Sequence, residues 1–379
     1  MPEIRLIAIL PEIILAILAC ALFVIDPFVP REKKEQLGFF AVGALILSGV
    51  SIIPLWGQSI STFSGMITLD AYALFFKILF LLIGILVILM SIRYVQIERI
   101  NLGEYYGLIL FATMGMMFMP SATDLLSFYL SLELMSMAFY VLIAFMRKDH
   151  KSIESAIKYF LTGVFSSGVI LYGIAFLYGA TGTTNLAEIA AFIKANGMAS
   201  NPSLMMSFVL FITGFGFKIA SVPFHMWAPD VYEGAPTPIT AYLSAGSKAA
   251  AFSVMIRVLI SAFDLSSGHW WPILWVIAVL TMTLGNVVAL VQTNVKRLLA
   301  YSSIAHSGYL LIGLIVASQV GYAAMLVYLV AYVFMTLGAF TLIILLCAQN
   351  VKGDQIVDFK GLAKTNPVVA LTFILFALS

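Results

Sequence analysis

The chain has 379 residues, of which 62% are hydrophobic and only 10% are charged, and its formal net charge at pH 7 is +2. A soluble domain carries roughly 25% charged residues, so this composition excludes a soluble globular protein and indicates a polytopic membrane protein. The small net charge gives no argument for nucleic-acid binding, and the long continuous apolar runs are unlike the short alternating segments of a membrane β-barrel.

Apolar runs long enough to cross a bilayer recur along the whole chain, and about 20 residues per span allow roughly a dozen helices. We therefore predict one all-α integral membrane domain over residues 1–379, with no soluble domain in the loops. The predicted spans are approximately 4–25, 37–56, 71–92, 105–120, 124–146, 154–179, 204–223, 237–262, 270–291, 301–318, 321–348 and a last one that starts near 366. The first span has no small-residue cleavage site, so we expect it to be retained rather than removed as a signal peptide.

Basic residues test this assignment, because cytoplasmic loops carry an excess of lysine and arginine. The loops after odd-numbered spans contain Arg31, Lys33, Lys34, Arg93, Arg99, Arg147, Lys148, Lys151, Lys296, Arg297, Lys352, Lys360 and Lys364. The loops on the other side contain Lys194 and the acidic residues Asp70, Asp124, Glu188 and Asp264. The sequence therefore predicts an N-terminus outside the cell and basic loops in the cytoplasm.

Residues 224–236 depart from this pattern, because this cytoplasmic connection carries Asp230 and Glu233 and no basic residue. Its HMWAPDVY run is amphipathic, and irregular backbone near a membrane is tolerated where it packs against protein or lines water. A segment folded against the protein is therefore favoured over a simple connector. Residues 184–197 are predicted to form an amphipathic surface helix, to which we assign no function.

Several ionisable residues lie within or near the predicted spans, where a charge at mid-bilayer costs about 2.5–3.5 kcal/mol on insertion scales. Lys77, Lys158 and Arg257 lie near span ends, where a long side chain can reach the interface, so an anchoring role and a functional role both stay open for them. Glu12 lies near mid-span beside Pro11, and a structural role is favoured for it.

Glu133, Lys218 and Lys248 lie deep in their spans, so anchoring does not explain them. A static ion pair between Glu133 and one lysine is the simplest alternative, but it would leave the other lysine without compensation. Buried lysines lose their charge readily, and ionisable groups whose protonation depends on a movable partner are typical of proton relays. We therefore favour a relay over a static scaffold.

Two histidines extend this set of polar residues. His225 follows Lys218 across a proline, and His306 lies in the run YSSIAHSGYLLIG together with Tyr301, Ser303 and other hydroxyl residues. Histidines titrate near neutral pH, so a relay role and a packing role stay open for both. A haem held by His225 and His306 is formally possible, but no attachment motif supports it.

The segment around Lys218 is predicted to be an interrupted helix, because Gly214, Gly216 and Pro223 frame the lysine. Interrupted helices free backbone carbonyls and expose dipole ends that hold ions and water near the midplane. Transporter folds often carry two such breaks in matching positions of inverted repeats. We expect the second one downstream, but none is found before the chain ends at Ser379, part-way into its last predicted span.

The sequence contains no visible source of energy for transport. Moving a proton against about 150–200 mV costs about 3.5–4.6 kcal/mol. The sequence has no phosphate-binding GxxxxGK loop, no dinucleotide fingerprint and no cluster of redox ligands, and Cys20 and Cys347 lack the paired spacing of disulfides, iron–sulfur clusters or zinc sites. An ion gradient or a partner protein must therefore drive the chain.

Three runs of this sequence resemble the antiporter-like membrane subunits of respiratory complex I, the proton-translocating NADH:quinone oxidoreductase. They are GFGFKIASVPFHMWAPDVYEGAPTPITAYLSAGSK, QTNVKRLLAYSSIAHSGYLLIG and FKGLAKTNPVVA. The resemblance covers nearly the whole chain. It implies a fold of two inverted five-helix repeats with discontinuous helices, with flanking helices in 1–104, the first repeat in 105–262 and an incomplete second repeat in 270–379.

The resemblance also implies roles for individual residues. Glu133 and Lys218 match a pair thought to respond to the neighbouring subunit, and Lys248 matches the lysine on the central axis. Lys158 and His225 match residues held to take part in proton transfer. Tyr301 and His306 match polar positions on the path toward the exit. It implies no flavin, iron–sulfur cluster or quinone within this chain, and partners that include paralogous antiporter-like subunits and small membrane subunits.

Three functions follow from these observations. The favoured one is a proton-translocating, non-redox subunit of an NADH:quinone oxidoreductase in a bacterial plasma membrane. The second is a subunit of a multi-subunit cation/proton antiporter, because those antiporters share the motifs. The third is a scaffold that only links other membrane subunits, and it predicts that neutral substitutions at the deep charges are harmless.

Overall fold

The computed structural model describes residues 4–98, 100, 102–198, 201–263, 271–348 and 354–378. Its helices are α1 (Leu10–Ile25), α2 (Glu35–Val50), α3 (Ala71–Ile97), α4 (Gly103–Phe118), α5 (Leu125–Ile143), α6 (His150–Thr181), α7 (Leu186–Asn196), α8 (Pro202–Lys218), α9 (Trp227–Gly234), α10 (Thr237–Tyr242), α11 (Lys248–Ser261), α12 (Trp271–Ala289), α13 (Val295–Ile315), α14 (Gln319–Ala348), α15 (Leu362–Thr365) and α16 (Pro367–Leu378). A hairpin of β1 (Ile60–Thr62) and β2 (Ile67–Leu69) precedes α3, and a π-helical turn (Leu243–Ser247) joins α10 to α11. Arg99, Asp264, Lys352, Ser379 and the side chains of Arg31 and Cys347 lie outside the described residues.

The helices agree with the predicted spans. Among the described residues, nine helical segments are long and apolar enough to cross a bilayer, and α8 and Pro367–Phe376 are shorter apolar helices. Together with α4 they account for each predicted span, so the prediction of an all-α polytopic membrane protein is confirmed. The division into two inverted repeats stays a prediction.

Two predicted boundaries were wrong. The helix α13 begins at Val295 rather than near residue 301, because the Asn294 side chain caps it by accepting a hydrogen bond from the Arg297 N–H. Lys296 and Arg297 therefore lie in its first turn and not in a loop. The helix α8 ends at Lys218 instead of continuing to residue 223, so Lys218 is its last residue rather than a mid-helix one.

Aspartate and asparagine side chains start many of the helices by accepting hydrogen bonds from the free N–H groups of the first turn. Asp70 and Asp124 cap α3 and α5 in this way. Asp149, Asn185 and Asn201 cap α6, α7 and α8. Two of the four acidic residues that marked the predicted outer loops, Asp70 and Asp124, thus have a local structural role.

The segment Thr237–Ser261 lies at the centre of the molecule. In its apolar stretch 89% of the residues are buried, against 22% in α12, which presents apolar side chains such as Val287 outward. Small residues let transmembrane helices approach closely in a solvent where apolar surface gains little from burial. Three consecutive alanines, Ala249, Ala250 and Ala251, are fully buried and serve this purpose in α11.

Ion pairs join α1 to α3 and join the start of α3 to α11. Lys77 Nζ of α3 lies 2.7 Å from Glu12 Oε1 of α1, and both side chains are at most 1% exposed. The predicted option that Lys77 reaches the membrane interface is wrong, because its charge is compensated inside the helix bundle. Arg257 near the end of α11 likewise binds both carboxylate oxygens of Asp70, at 2.8 and 2.9 Å.

Candidate functional site

The helix that contains Lys218 is interrupted, as the sequence predicted. The helix α8 stops at Lys218, and the chain resumes helical structure at α9 after a connection that includes Ala220 at φ +56°. The proline at position 223 cannot donate a backbone hydrogen bond, and it disfavours helical backbone in the residue before it.

Side chains from two other helices hold this break. Thr281 of α12 accepts a hydrogen bond from the Val222 N–H at 3.0 Å, and Ser307 of α13 donates to the Ile219 carbonyl at 2.7 Å. Trp227, the first residue of α9, donates from its indole nitrogen to the Phe217 carbonyl at 3.0 Å. Three of the backbone groups at the break therefore have partners, and the connection is folded against the protein, as the sequence favoured.

Lys218 is buried and is hydrogen-bonded to a hydroxyl rather than to a carboxylate. Its Nζ lies 3.0 Å from Ser136 Oγ of α5, and that hydroxyl itself donates to the Leu132 carbonyl at 2.8 Å. Glu133 lies one turn earlier on the same face of α5. Its Oε1 is buried without a hydrogen-bond partner in the described part of the chain. A direct Glu133–Lys218 ion pair, the alternative that the sequence analysis did not favour, is absent from the described residues, and Ser136 is the residue bonded to the lysine.

Two other buried polar atoms nearby have no hydrogen-bond partner of good geometry among the described residues. They are Tyr140 Oη of α5 and Ser167 Oγ of α6, and Tyr140 faces both Ser136 and Ser167. Gly163 makes this possible, since a Cβ at that position would lie 2.7 Å from the Tyr140 hydroxyl. Polar atoms grouped in this way provide the hydrogen-bond partners that a buried water molecule needs.

Lys248 is the second buried lysine, and it too is surrounded by oxygen atoms of neutral groups. It follows the π-helical turn, a feature that is frequent at functional sites. Its Nζ donates to the carbonyl and the hydroxyl of Ser303 on α13 and lies 5.6 Å from the centre of the Tyr332 ring on α14. Among the described residues no carboxylate forms an ion pair with it.

A cavity of about 350 Å³ with both polar and apolar lining residues lies next to this lysine site. Ser303, His306 and Tyr332 are among the residues that line it, and His306 Nδ1 is hydrogen-bonded to Tyr328 Oη. Tyr301, which the resemblance put on the same path, does not line the cavity and packs partly buried against the apolar core. The structure thus brings Lys248 and His306 together and leaves Tyr301 aside.

Lys158 lies in a cluster of charges at the surface, not in the buried site. Its side chain is 42% exposed and pairs with Glu154 at 2.8 Å and with Asp230 of α9 at 2.6 Å. Arg297 of α13 pairs with Asp230 at 2.8 Å and with Glu233 at 3.1 Å. We call Lys151, Glu154, Lys158, Asp230, Glu233 and Arg297 the surface charge cluster.

The two acids of α9 are held in their charged form. Burial alone would raise the pKa of Asp230, but hydrogen bonds from Lys158 and Arg297 outweigh it and lower that pKa below its ordinary value. The pKa of Glu233 is lowered in the same way, since Lys151 and Arg297 outweigh its burial. The basic partners on α6 and α13 also explain why this connection carries acidic residues.

His225 lies in the break itself. It is 6% exposed, and its Nδ1 has no hydrogen-bond partner among the described residues. The described residues contain no group of three or more His, Cys, Asp or Glu side chains that could hold a metal ion.

Sequence reasoning missed the hydroxyl residues that contact the lysines. Ser136 is bonded to Lys218 and Ser303 to Lys248. Tyr232, Ser244 and Tyr332 are in turn bonded to Ser303. Serine and tyrosine occur throughout membrane helices, so residue type alone did not distinguish them. The cluster of hydroxyls around His306 was a partial signal, because it contains Ser303.

The chain is similar to known membrane proteins over almost all of its length. Residues 122–379 match the family described as NADH:quinone oxidoreductase/Mrp antiporter, TM. The NADH-quinone oxidoreductase subunit N of Trichlorobacter lovleyi is 47% identical over 376 residues, which cover 99% of this chain and 77% of that protein.

Solved structures have the same fold. A chain of respiratory complex I from Thermus thermophilus is 29% identical, with a TM-score of 0.75, and the match covers 97% of this chain and 77% of that one. A chain of the Mrp complex from Dietzia sp. DQ12-45-1b has a TM-score of 0.84 at 22% identity, covering 99% of this chain and 71% of that one. At that identity the second likeness concerns the fold alone.

Proposed function

Because the chain belongs to the NADH:quinone oxidoreductase/Mrp antiporter family, we propose that it is a proton-translocating, antiporter-like membrane subunit of an NADH:quinone oxidoreductase. The observation that carries the proposal is the placement of Lys218 and Lys248. Both are buried, both are held by hydroxyl or carbonyl oxygens, and neither has an acidic partner within 4 Å in the described part of the chain.

Such lysines are suited to gain and lose protons. A buried ammonium without a counter-ion is costly, and a nearby carboxylate favours the charged form. Glu133 is near Lys218 but not bonded to it, so a small movement of either group changes the proton affinity of the lysine. A proton released there would pass to Lys248 and then through the cavity at His306.

The energy would come from outside the chain. We assign NADH oxidation, flavin, iron–sulfur clusters and quinone to partner subunits, which would act on Glu133 and Lys218 through neighbouring membrane subunits. The 47% identity, over 99% of the chain, to the protein named NADH-quinone oxidoreductase subunit N in Trichlorobacter lovleyi supports this assignment. A bacterial plasma membrane with the N-terminus outside is part of the same proposal.

The likeness of the fold to a chain of the Mrp complex supports a second candidate, a subunit of a cation/proton antiporter. In that case a sodium gradient would replace redox chemistry. The two candidates differ in the partners that co-purify with the chain and in whether proton movement needs sodium.

The proposal is tested in the native complex, purified from membranes and reconstituted in vesicles. NADH:quinone activity and proton uptake are measured for Lys218→Ala and Lys248→Ala beside the wild type, with Lys194→Ala on the peripheral helix α7 as the control. We expect proton uptake and coupled turnover to fall by about tenfold or more in the two buried variants, because positioned proton-transfer groups contribute about 10²–10⁴-fold.

Other outcomes would decide against the proposal. An assembled complex in which both buried variants pump like wild type would support the scaffold function instead. A preparation without an NADH-oxidising partner, which exchanges protons only when sodium is present, would support the antiporter.

A further inference from the structure

The hydroxyl of Ser303 is the meeting point of four buried polar groups. Its Oγ is bonded to Lys248 Nζ and lies 2.8 Å from Tyr332 Oη, 3.3 Å from Tyr232 Oη and 3.4 Å from Ser244 Oγ. With Ser303 these are five side chains, and they come from four elements. Tyr232 lies on α9, the helix after the break, Ser244 and Lys248 lie in the central segment Thr237–Ser261, Ser303 lies on α13 and Tyr332 on α14. Each is at most 3% exposed.

Four neighbours are more than one hydroxyl can satisfy. A serine hydroxyl donates one hydrogen bond and accepts two. At least one of the four contacts must therefore be unmade at any moment. Which hydrogen bond is missing depends on the protonation state of Lys248, because an ammonium group only donates hydrogen bonds whereas a neutral amine also accepts one.

The two protonation states of Lys248 impose different hydrogen-bond patterns on Ser303. When Lys248 is charged, it occupies one lone pair of Ser303, and the serine proton must point to a tyrosine or to Ser244. When Lys248 is neutral, Ser303 can donate to the amine and accept from both tyrosines. Buried hydrogen-bonded groups polarise one another, so the change extends along the chain of hydroxyls.

One of these tyrosines belongs to the short helix after the break. Tyr232 lies on α9 between Asp230 and Glu233, whose carboxylates form the surface charge cluster with Lys158, Lys151 and Arg297. A change at the Tyr232 hydroxyl therefore acts on the same eight-residue helix that the surface cluster holds from the other side.

We propose that Ser303 is a positioning residue that couples the protonation of Lys248 to Tyr232 and so to the second half of the interrupted helix. The inference rests on the proposed function, because it assigns a consequence to the proton that Lys248 gains or loses. The titratable groups around Lys248 are Tyr232 on α9, His306 on α13 and Tyr332 on α14, and the ring centres of His306 and Tyr332 are 5.2 Å apart.

Two substitutions test the proposal because they shift the pH profile in opposite directions. Ser303→Ala removes a hydroxyl acceptor from the ammonium, so the alkaline limb of coupled turnover in the reconstituted complex is expected to move down by about one pH unit. Tyr332→Phe removes a competing donor from Ser303 and leaves the serine free to accept from Lys248, so the limb moves up. Ser303→Thr keeps the hydroxyl and is expected to restore the wild-type profile.

The control is Ser253→Ala, which removes a buried hydroxyl on the helix of Lys248 that donates only within its own helix, to the Ala250 carbonyl. The pH profile of coupled turnover in Ser253→Ala is expected to match that of the wild type.

Lys248→Ala is measured in parallel. One outcome is that Lys248→Ala stops pumping while the alkaline limbs of Ser303→Ala and Tyr332→Phe stay at the wild-type pH or move in the same direction. In that case the coupling through Ser303 is wrong and the proposed proton relay stands. If Lys248→Ala itself pumps normally, the proposed function fails and this inference with it. Should Ser303→Ala not assemble, the upward shift in Tyr332→Phe decides alone.

Discussion

At the scale of single residues, the partners of the buried charges separate two kinds of site. Lys77 and Arg257 are bonded to carboxylates and hold helices together, whereas Lys218 and Lys248 are bonded to hydroxyl or carbonyl oxygens. A buried ion pair fixes both groups in their charged forms, because taking a proton from the lysine or adding one to the carboxylate leaves the partner's charge uncompensated. A lysine among neutral oxygens has no such constraint, so its protonation is free to change.

The Glu12–Lys77 pair is expected to serve stability and not transport. Either Glu12→Gln or Lys77→Met alone leaves one buried charge unpaired and is expected to lower the free energy of unfolding by about 3–5 kcal/mol. The double variant Glu12→Leu with Lys77→Met is expected to be neutral or more stable. Thermal unfolding of the purified complex measures this, with Glu104→Gln, an exposed carboxylate on α4, as the control.

A loss of pumping per electron in the double variant, at wild-type stability, would contradict this assignment. It would show that the pair belongs to a proton path rather than to the helix packing.

At the scale of elements, the site depends on how α12 and α13 support the interrupted helix. These two helices supply Thr281 and Ser307, which bind the backbone of the break, and α13 also supplies Ser303. They approach each other closely at Gly285, where a Cβ would lie 2.7 Å from the Ala305 backbone nitrogen. The position of Ser303 relative to Lys248 therefore depends on a contact that only glycine permits.

Gly285→Ala is expected to separate α12 from α13, because backbone atoms of α13 cannot move aside as a flexible side chain would. We expect a loss of about 1–3 kcal/mol in the free energy of unfolding and a fall in proton uptake. Gly168→Ala on α6 is the matched control, since a Cβ there meets nothing within 4 Å. It is expected to be neutral or to stabilise by about 0.5–1 kcal/mol through helix propensity. Equal stability of the two variants would contradict the close contact.

At the scale of the whole molecule, the distribution of basic residues predicts which side of the membrane each loop faces. The bundle has its central helix from Thr237 to Ser261 and presents apolar surface around it. Neither property distinguishes inside from outside. Orientation therefore rests on the excess of lysine and arginine in alternate loops.

Labelling with a membrane-impermeant thiol reagent tests the orientation. In a background with Cys20→Ser and Cys347→Ser, Lys194→Cys is expected to react in intact cells, and Lys148→Cys only in inside-out vesicles. Both positions are measured again after permeabilisation to show that each cysteine is reactive. The reverse pattern would place the N-terminus in the cytoplasm.

The sequence by itself determined the spans, the interruption after Lys218 and the identity of the deep lysines. Hydrophobic length, helix-breaking residues and the cost of buried charge are properties of short stretches, and these can be read locally. The resemblance of three long motifs added the family, which the comparisons confirm.

Only the tertiary structure decided which groups meet. It paired Glu12 with Lys77, put Ser136 instead of Glu133 next to Lys218, placed Lys158 at the surface and gathered four side chains around Ser303. These contacts join helices that are far apart in sequence. Their geometry depends on the rotation of each helix and on close approaches at glycines, and neither leaves a periodic signal in a chain whose lipid-facing and buried sides are both apolar.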